Sequence, residues 1–303
     1  MGQKNESSTD FILLGLFPWF RHPHLLMLII LLFYAIALTG NCILILLILL
    51  DSRLHTPMYF LLSQLSLVDV AYISSTVPKM VINYFTGKKN ISYLACATQL
   101  FSFLTLALAE CILLTLMACD RYVAVCKPLR YTVLMNPKVC LQMAAAAWIG
   151  GALAALVHTV YPMSFRICGS REINHYFCEM PAILRLSCMD TSVYEMVIFL
   201  TSTAYLLVPF SLILTSYIVI FLTVLQMTSR KGRNKALATC SSHLTVVSLY
   251  FGQTPTSSHT PDQDQIGAVL GTIVTPMLNP LIYSLRNKEV LGALRRCSGR
   301  CCN

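Results

Sequence analysis

Charged residues are scarce in this 303-residue chain. Asp, Glu, Lys and Arg together make up 12% of the sequence, whereas soluble globular domains carry about 25%. Hydrophobic residues account for 56% of the chain, and the mean hydropathy is +0.67. This composition excludes an ordinary soluble domain and predicts an integral membrane protein.

Long polar segments are also absent between the apolar runs, of which we mark seven. They cover residues 25–50, 58–81, 94–118, 139–161, 193–227, 236–252 and 266–285. A helix needs about 20 residues to cross a hydrocarbon core of about 30 Å, and six of the runs meet that length convincingly. The pattern predicts an all-α membrane protein in which residues 1–303 form one seven-helix domain with a short tail from 286.

Three further absences bear on function. No lysine lies between Asp264 and Arg286, which argues against a pump with a retinal Schiff base in the last span. No internal repeat of the kind that builds transporters is present, so a transporter is only a remote alternative. A Gly-x-Gly-Asp motif is missing, which argues against an intramembrane hydrolase using Asp69 and Glu110. We therefore expect no enzyme, and we also expect no cleaved signal peptide.

The positions of Lys and Arg predict the orientation. One set of loop ends carries 14 of the 22: Arg53, Arg121, Lys127, Arg130, Lys138, Arg230, Lys231, Arg233, Lys235, Arg286, Lys288, Arg295, Arg296 and Arg300. By the positive-inside rule this set is cytoplasmic, which places the N-terminus outside and the C-terminus inside. The net charge of +9 is thus a topology signal and needs no nucleic acid partner. Two glycosylation triplets, at Asn5 and Asn90, both fall on the predicted outer side.

The thirteen cysteines divide by compartment. Cys96, Cys168, Cys178 and Cys188 lie on the predicted oxidising side, where four cysteines allow three pairings. Three of them lie in the loop 162–192, so at least one bridge must hold that loop over the mouth of the bundle. The other nine are interpreted as apolar packing residues, and those of the tail, Cys297, Cys301 and Cys302, are candidates for palmitoylation.

An acid and an arginine, Asp120 and Arg121, stand where the third run meets a basic loop in MACDRYVAVCKPLRY, residues 117–131. Charged groups are costly at this depth. The pair is either an interfacial anchor or part of a functional site, and the pair alone does not decide between them.

Few ionisable groups lie inside the predicted spans. With a rise of about 1.5 Å per residue, Asn41, Asp69 and Glu110 lie about 15 to 18 Å from the inner ends of their helices. Two carboxylates at one depth must share a proton, a cation or a polar network, which we expect to include Asn279. The alternative is a structural network that fixes the register of the helices.

The seventh run contains Pro276 and Pro280 on either side of Asn279. Each proline removes a backbone hydrogen bond, so we expect a kinked helix and a moving part. Tyr283 follows one turn below Asn279, and Tyr217 lies near the inner end of the fifth run, within reach of Arg121 if the bundle opens. Either tyrosine can equally serve as an interfacial anchor.

Four long segments carry a resemblance that covers nearly the whole chain. They are 57–69 (PMYFLLSQLSLVD), 117–131, 235–252 (KALATCSSHLTVVSLYFG) and 276–290 (PMLNPLIYSLRNKEV). In order and spacing they resemble the signature motifs of the vertebrate olfactory receptors, which are rhodopsin-like G-protein-coupled receptors. The resemblance implies an odorant receptor that activates the olfactory stimulatory G protein and raises cyclic AMP, in the plasma membrane of olfactory cilia.

The resemblance also implies roles for individual residues. Asp120, Arg121 and Tyr122 correspond to the switch triplet, in which Arg121 contacts the G protein once the sixth helix moves outward. Further switch residues are Tyr217, Asn279, Pro280 and Tyr283. The internal polar and sodium site consists of Asn41, Asp69, Glu110 and Asn279. The implied disulfides are Cys96 with Cys178 and Cys168 with Cys188.

The ligand pocket is expected in the outer half, between helices three, five and six. Helical spacing places Phe103, Leu104, Ala107 and Leu108 on one face of helix three and Ile198, Ser202 and Tyr205 on one face of helix five, and Phe251 is added from helix six. Such a pocket is apolar with a few hydroxyls and suits a small volatile ligand. Plain interhelical packing is the alternative for each side chain.

One departure from the family pattern concerns the sixth run. Gln253, Thr254 and Pro255 follow Gly252 at once, so roughly two helical turns of about 3.6 residues are missing. We therefore expect a shortened sixth helix, and the alternative function is a receptor variant that is inactive or poorly trafficked.

Overall fold

Helices form nearly all of the protein. The computed structural model describes residues 10–17, 20–252 and 261–301. The helices are α1 Pro23–Leu50, α2 Pro57–Thr86, α3 Tyr93–Cys126, α4 Tyr131–Leu134, α5 Pro137–Met163, α6 Met180–Arg185, α7 Ser192–Leu225, α8 Arg230–Gly252, α9 Pro261–Val269, α10 Thr275–Arg286 and α11 Lys288–Cys301. Each of the seven predicted apolar runs overlaps a helix, so the prediction of a mostly helical protein is confirmed.

Six described helical stretches are long and apolar enough to cross a membrane. They are α1, α2, α3, α5, α7 and the stretch Gln263–Ser284, which runs from α9 into α10. The exception among the seven runs is α8, which starts with the basic segment at Arg230 and ends at Gly252. The residues Gln253, Thr254 and Pro255, which suggested a shortened helix, lie outside the described residues.

Local sequence explains where several helices begin. Pro23, Pro57 and Pro137 each occupy the first turn of their helix, where a missing backbone N–H costs nothing. The Ser92 hydroxyl accepts a hydrogen bond from the Ala95 N–H at the start of α3 (3.3 Å). Side chains of this type cap the otherwise unpaired donors of a first turn.

The last span is irregular where the sequence predicted a kink. A π-helical segment, Leu270–Val274, joins α9 to α10 and directly precedes the two prolines. Gly40 of α1 lies against Pro280, since a Cβ atom at this glycine would come within 2.9 Å of the proline ring. Close packing of α1 on α10 therefore depends on the absence of a side chain at Gly40.

Two disulfides and a small sheet mark one end of the bundle, which we call the disulfide end. The strands are β1 Phe11–Leu13, β2 Asn90–Ile91 and β3 Glu172–Ile173, with β1 in the middle, antiparallel to β2 and parallel to β3. These strands were not predicted. The disulfides join Cys96 to Cys178 and Cys168 to Cys188, the pairing that the resemblance implied.

A buried glutamine completes the disulfide end. The Gln265 side chain, 1% exposed, accepts a hydrogen bond from the Phe17 N–H (3.1 Å) and donates one to the Asn174 carbonyl (3.0 Å). Gln265 therefore ties α9 both to the segment after β1 and to the loop after β3.

The opposite end carries Arg121, and we call it the arginine end. The segment after α10, predicted as a short tail, contains the helix α11. Asn287 caps this helix, because its side-chain oxygen accepts from the Glu289 N–H (2.9 Å). Val290 and Ala293 on one face of α11 are buried, so α11 packs against the bundle.

Candidate functional site

The buried polar residues of the bundle interior form two separate contacts with α10. The Asn279 amide donates to both oxygens of Asp69, at 3.1 and 3.0 Å, which joins α10 to α2. Asp69 is 1% exposed. A buried carboxylate needs such donors, because leaving it without a partner is costly.

Asn41 does not join this pair directly but bonds the α10 backbone. Its amide donates to the Pro276 carbonyl (2.9 Å) and to the Ala37 carbonyl (3.0 Å). Pro280 lacks the N–H that would normally bond the carbonyl four residues before it, which is that of Pro276. Asn41 therefore supplies the hydrogen bond that the proline removes.

Glu110 is the third buried polar group at this depth. It is 4% exposed, and its Oε1 has no hydrogen-bond partner among the described residues. The side-chain oxygens of Asn41 and Asn279 are likewise buried without a partner there. These three oxygens, with the Asp69 carboxylate, are ligands of the type that hard cations prefer.

At the arginine end, Asp120 holds Arg121. The Arg121 Nε donates to Asp120 Oδ2 (3.0 Å), and Nη2 contacts the same oxygen. The other carboxylate oxygen accepts a hydrogen bond from the Tyr131 hydroxyl at the start of α4 (2.8 Å). Burial, and then the nearby Asp120 carboxylate, raise the pKa of Tyr131, so Tyr131 keeps its proton and acts as a donor.

The third member of the expected switch triplet, Tyr122, lies apart from the ion pair. The Lys127 ammonium is 5.7 Å from the centre of the Tyr122 ring, within the range of a cation–π contact. Tyr122 therefore contacts the loop that follows α3.

Tyr217 contacts a histidine of α8. Its hydroxyl and His243 Nδ1 are 2.6 Å apart, and both side chains are buried. No site role was predicted for His243, although it lies inside the motif segment 235–252. This hydrogen bond joins α7 to α8 near Arg121, and it is a contact that outward movement of α8 must break.

A cavity of about 690 Å³ opens at the arginine end. Its walls include Tyr59, Arg121, His243, Tyr283 and Glu289. The Tyr283 side chain is 7% exposed, and its hydroxyl has no hydrogen-bond partner in the described part of the chain. The predicted switch residues Arg121 and Tyr283 thus border one space.

The contacts that join α11 and the preceding Asn287 to the start of α2 and to Asp51 after α1 were not predicted. The Tyr59 hydroxyl donates to Glu289 Oε2 (3.0 Å) and accepts from the Asn287 amide (2.8 Å). The Arg296 Nε donates to the Asp51 carboxylate (3.0 Å), and this contact holds the pKa of Asp51 below its ordinary value. The partners are more than 200 residues apart, so no local signal in the sequence reveals them.

The expected ligand residues of α3 lie beneath the loop that carries Cys178. The Phe103 ring lies 4.8 Å from the ring of Phe177 in this loop and 5.3 Å from that of Tyr72 (centroid distances). The Ala107 carbonyl accepts a hydrogen bond from the Tyr250 hydroxyl of α8 (2.9 Å). Tyr250 was likewise not predicted as a site residue.

The expected residues of α7 lie closer to the surface. Ser202 and Tyr205 are exposed, and the Tyr205 carbonyl accepts a hydrogen bond from the Cys111 thiol (3.5 Å). Four of the five buried α7 side chains lie toward the arginine end, at Ile213, Tyr217, Ile220 and Val224, and the fifth is Tyr194. The other six residues of the expected pocket are half-buried: Phe103, Leu104, Ala107, Leu108, Ile198 and Phe251.

Titratable groups cluster in the loop at the disulfide end. Burial lowers the pKa of His175 to about 3, whereas burial, and then the Asp264 carboxylate, raise the pKa of Glu179 to about 7. The two side chains are 3.6 Å apart. They do not form an ion pair near neutral pH, because His175 has already lost its proton when Glu179 ionises.

Of the two glycosylation triplets, the structure places one. Asn90 is exposed in β2, where its carbonyl accepts a hydrogen bond from the Lys79 ammonium (2.8 Å). Asn5 lies outside the described residues.

Comparison with known proteins gives one consistent result. A family model described as "Olfactory receptor" matches residues 30–299. Human olfactory receptor 2T2 is 53% identical over 98% of this chain and 93% of its own length. Human olfactory receptor 2T27 is 53% identical over 99% of this chain and 97% of its own length. Human olfactory receptor 2L2 is 53% identical over 97% of this chain and 96% of its own length.

Proposed function

The chain belongs to the olfactory receptor family, and from that premise we propose that its disulfide end faces outward and binds a small volatile ligand. Its arginine end then activates the olfactory stimulatory G protein and raises cyclic AMP. Members of this family are odorant-sensing receptors of the multi-pass membrane type and are not enzymes. The proposed location is the plasma membrane of olfactory cilia.

The contact between Phe177 and Phe103 carries the proposal of an outer ligand site. Phe177 is 1% exposed and precedes the disulfide at Cys178, so the covalent bridge holds an aromatic side chain of the loop against α3. We propose that a volatile ligand lies below this lid, between α3, α7 and α8. Burial of its apolar surface contributes roughly 25 cal/mol per Å², and a hydroxyl such as that of Ser202 sets its orientation.

A population shift links the two ends in this proposal. In the described structure α8 is joined to α3 through Tyr250 and to α7 through His243. A ligand that binds more tightly to an arrangement with α8 displaced moves the receptor toward that arrangement. Arg121 then becomes available to the G protein, and Tyr283 and Pro280 of α10 take part in the rearrangement.

We also propose a sodium ion at the buried polar groups, three of whose oxygens have no hydrogen-bond partner among the described residues. Asp69 and Glu110 supply the charge, and the side-chain oxygens of Asn41 and Asn279 complete the donor set. A bound sodium ion offsets the repulsion between the two carboxylates. We propose that these residues hold the ion in the closed arrangement, in which α8 stays joined to α3 and α7.

A second candidate function is that of an impaired receptor. The structure describes α8 as far as Gly252, and over these residues α8 is not among the helices that are long and apolar enough to span a membrane. Several side chains of the outer half of α7, including Tyr205, are exposed. We propose that a shortened sixth span reduces trafficking or ligand response.

One experiment separates the two candidates. The receptor carries an N-terminal tag and is expressed with an olfactory trafficking chaperone in intact cells, which are stained at the surface and assayed for cyclic AMP against an odorant panel. Surface staining and an odorant response that Arg121→Ala abolishes support the working receptor and its orientation. Retention inside the cell, compared with a human relative expressed in parallel, supports the impaired variant.

A further inference from the structure

The cavity at the arginine end has the size of a small-molecule site. Its volume of about 690 Å³ lies in the range of about 300 to 1,000 Å³ that is usual for ligand pockets. It is built from the starts of α2 and α8, the end of α3 and the junction between α10 and α11. It is distinct from the odorant site proposed at the opposite end.

One part of the cavity wall is apolar and another part carries hydrogen-bond donors. The apolar part consists of Met58, Leu62, Met117, Ala124 and Ala238. Tyr283 borders the cavity, and its hydroxyl is buried without a hydrogen-bond partner among the described residues. A polar atom in this state favours a ligand that supplies the missing bond.

The charges around the cavity favour an anion. Arg121 borders it, and the contacts with Asp120 use Nε and Nη2, whereas a guanidinium carries five N–H donors. Lys288 lies exposed on the wall. The carboxylate of Glu289, also on the wall, already accepts the Tyr59 hydroxyl.

We propose that this cavity binds an amphipathic organic anion, with a carboxylate near Arg121 and Tyr283 and an apolar body along Met58, Leu62 and Met117. Bound there, the anion stabilises the arrangement in which α8 packs beside α3. It therefore opposes G-protein coupling, because the two ligands favour different arrangements. The inhibitory role depends on the function proposed above, whereas the binding does not.

The binding test uses the purified full-length receptor in lipid nanodiscs and needs neither odorant nor G protein. Biphenyl-4-carboxylate is the probe, and biphenyl-4-carboxamide is its neutral control of the same shape. Unfolding is followed with a thiol-reactive dye, since Cys111, Cys140 and Cys240 are buried in the fold. We expect the carboxylate to raise the melting temperature in a concentration-dependent manner and the amide to have a much smaller effect.

Two tryptophan variants locate the site. Ala238→Trp fills the cavity and should abolish the shift, whereas Leu237→Trp adds the same side chain at an exposed neighbouring position outside the cavity wall and should leave it intact. Asn234→Trp, also on the wall, replaces Ala238→Trp if that variant does not fold. Equal shifts with the carboxylate and the amide, no shift at all, or a shift that survives filling of the cavity overturn the proposal. Binding without reduced G-protein nucleotide exchange overturns the inhibitory role alone.

Discussion

The two ends of the bundle are held together in different ways. At the disulfide end, two covalent bridges, a three-stranded sheet and the buried Gln265 side chain join the N-terminal segment, two loops and α9. At the arginine end, the described residues include no disulfide, and single side-chain contacts such as Tyr217 with His243 and Tyr59 with Glu289 join the helices.

This difference shows which end can move. A hydrogen bond contributes only about 0.5 to 1.5 kcal/mol to stability, so a few of them can be exchanged within the differential binding energy of one ligand. A disulfide does not open in an equilibrium of this kind. We infer that the disulfide end keeps its shape while the arginine end rearranges.

The largest effect is expected from removing the disulfide between Cys96 and Cys178, which holds the lid. In the double variant Cys96→Ser/Cys178→Ser, we expect a loss of about 2 to 5 kcal/mol in stability, as is usual for native disulfides. Surface staining should fall strongly. The pair Cys168→Ser/Cys188→Ser should cost less, because this bridge spans 20 residues and the first spans 82, a difference of about 1 kcal/mol in chain entropy.

A conservative cysteine substitution serves as the control for both pairs. Cys42→Ser changes a free, exposed cysteine of α1 and should leave staining unchanged. Equal staining of wild type and of the Cys96→Ser/Cys178→Ser variant would show that noncovalent contacts alone hold the lid.

At the arginine end, Tyr131→Phe should change activity more than folding. It leaves one buried oxygen of Asp120 without its donor, which costs about 1 to 3 kcal/mol in the closed arrangement. We expect the cyclic AMP output without odorant to rise severalfold relative to surface expression. Tyr84→Phe removes a hydroxyl contact with His24 at the other end and should leave this output unchanged. An equal rise in both variants would refute the proposed difference between the two ends of the bundle.

The sequence predicts the helices well because membrane spans are long and their apolar signal is local. It does not predict the sheet, since strands of two or three residues carry little signal and their partners are distant in the chain. Depth along a helix is also accessible, and Asn41, Asp69 and Glu110 were grouped in this way. Depth does not give rotation about the helix axis, however, and in the structure Asn41 bonds the Pro276 carbonyl and not Asp69.

His243 shows a second limit of sequence reasoning. A single histidine in an apolar run is most simply interpreted as a packing residue, and only the position of Tyr217 on another helix gives it a partner. The contacts of α11 with Tyr59 and Asp51 likewise depend on partners that are distant in the sequence. Side-chain pairs between helices depend on packing that composition and periodicity do not encode.

The smallest expected effect concerns a titratable group of the disulfide end. The folded protein raises the pKa of Glu179 from 4.5 to about 7, so folding favours its protonated form. Its contribution to stability is complete below pH 4.5 and is lost as the pH rises to about 7. His175 acts in the opposite direction, because its lowered pKa costs stability as the pH falls below 6.5.

The variant Glu179→Gln separates the contribution of Glu179 to the pH dependence of stability from that of His175. Asp264 and Arg185 also act on Glu179, and both variants retain them together with His175. We therefore expect the melting temperature of the wild type, relative to Glu179→Gln, to fall between pH 4.5 and about 7, when measured by tryptophan fluorescence. The effect should be smaller than that of the lid disulfide, since the Glu179 side chain is 21% exposed and solvent screens its charge. A difference that does not change with pH would mean that the loop adjusts to the charge, and the disulfide end would then be less rigid than its bridges indicate.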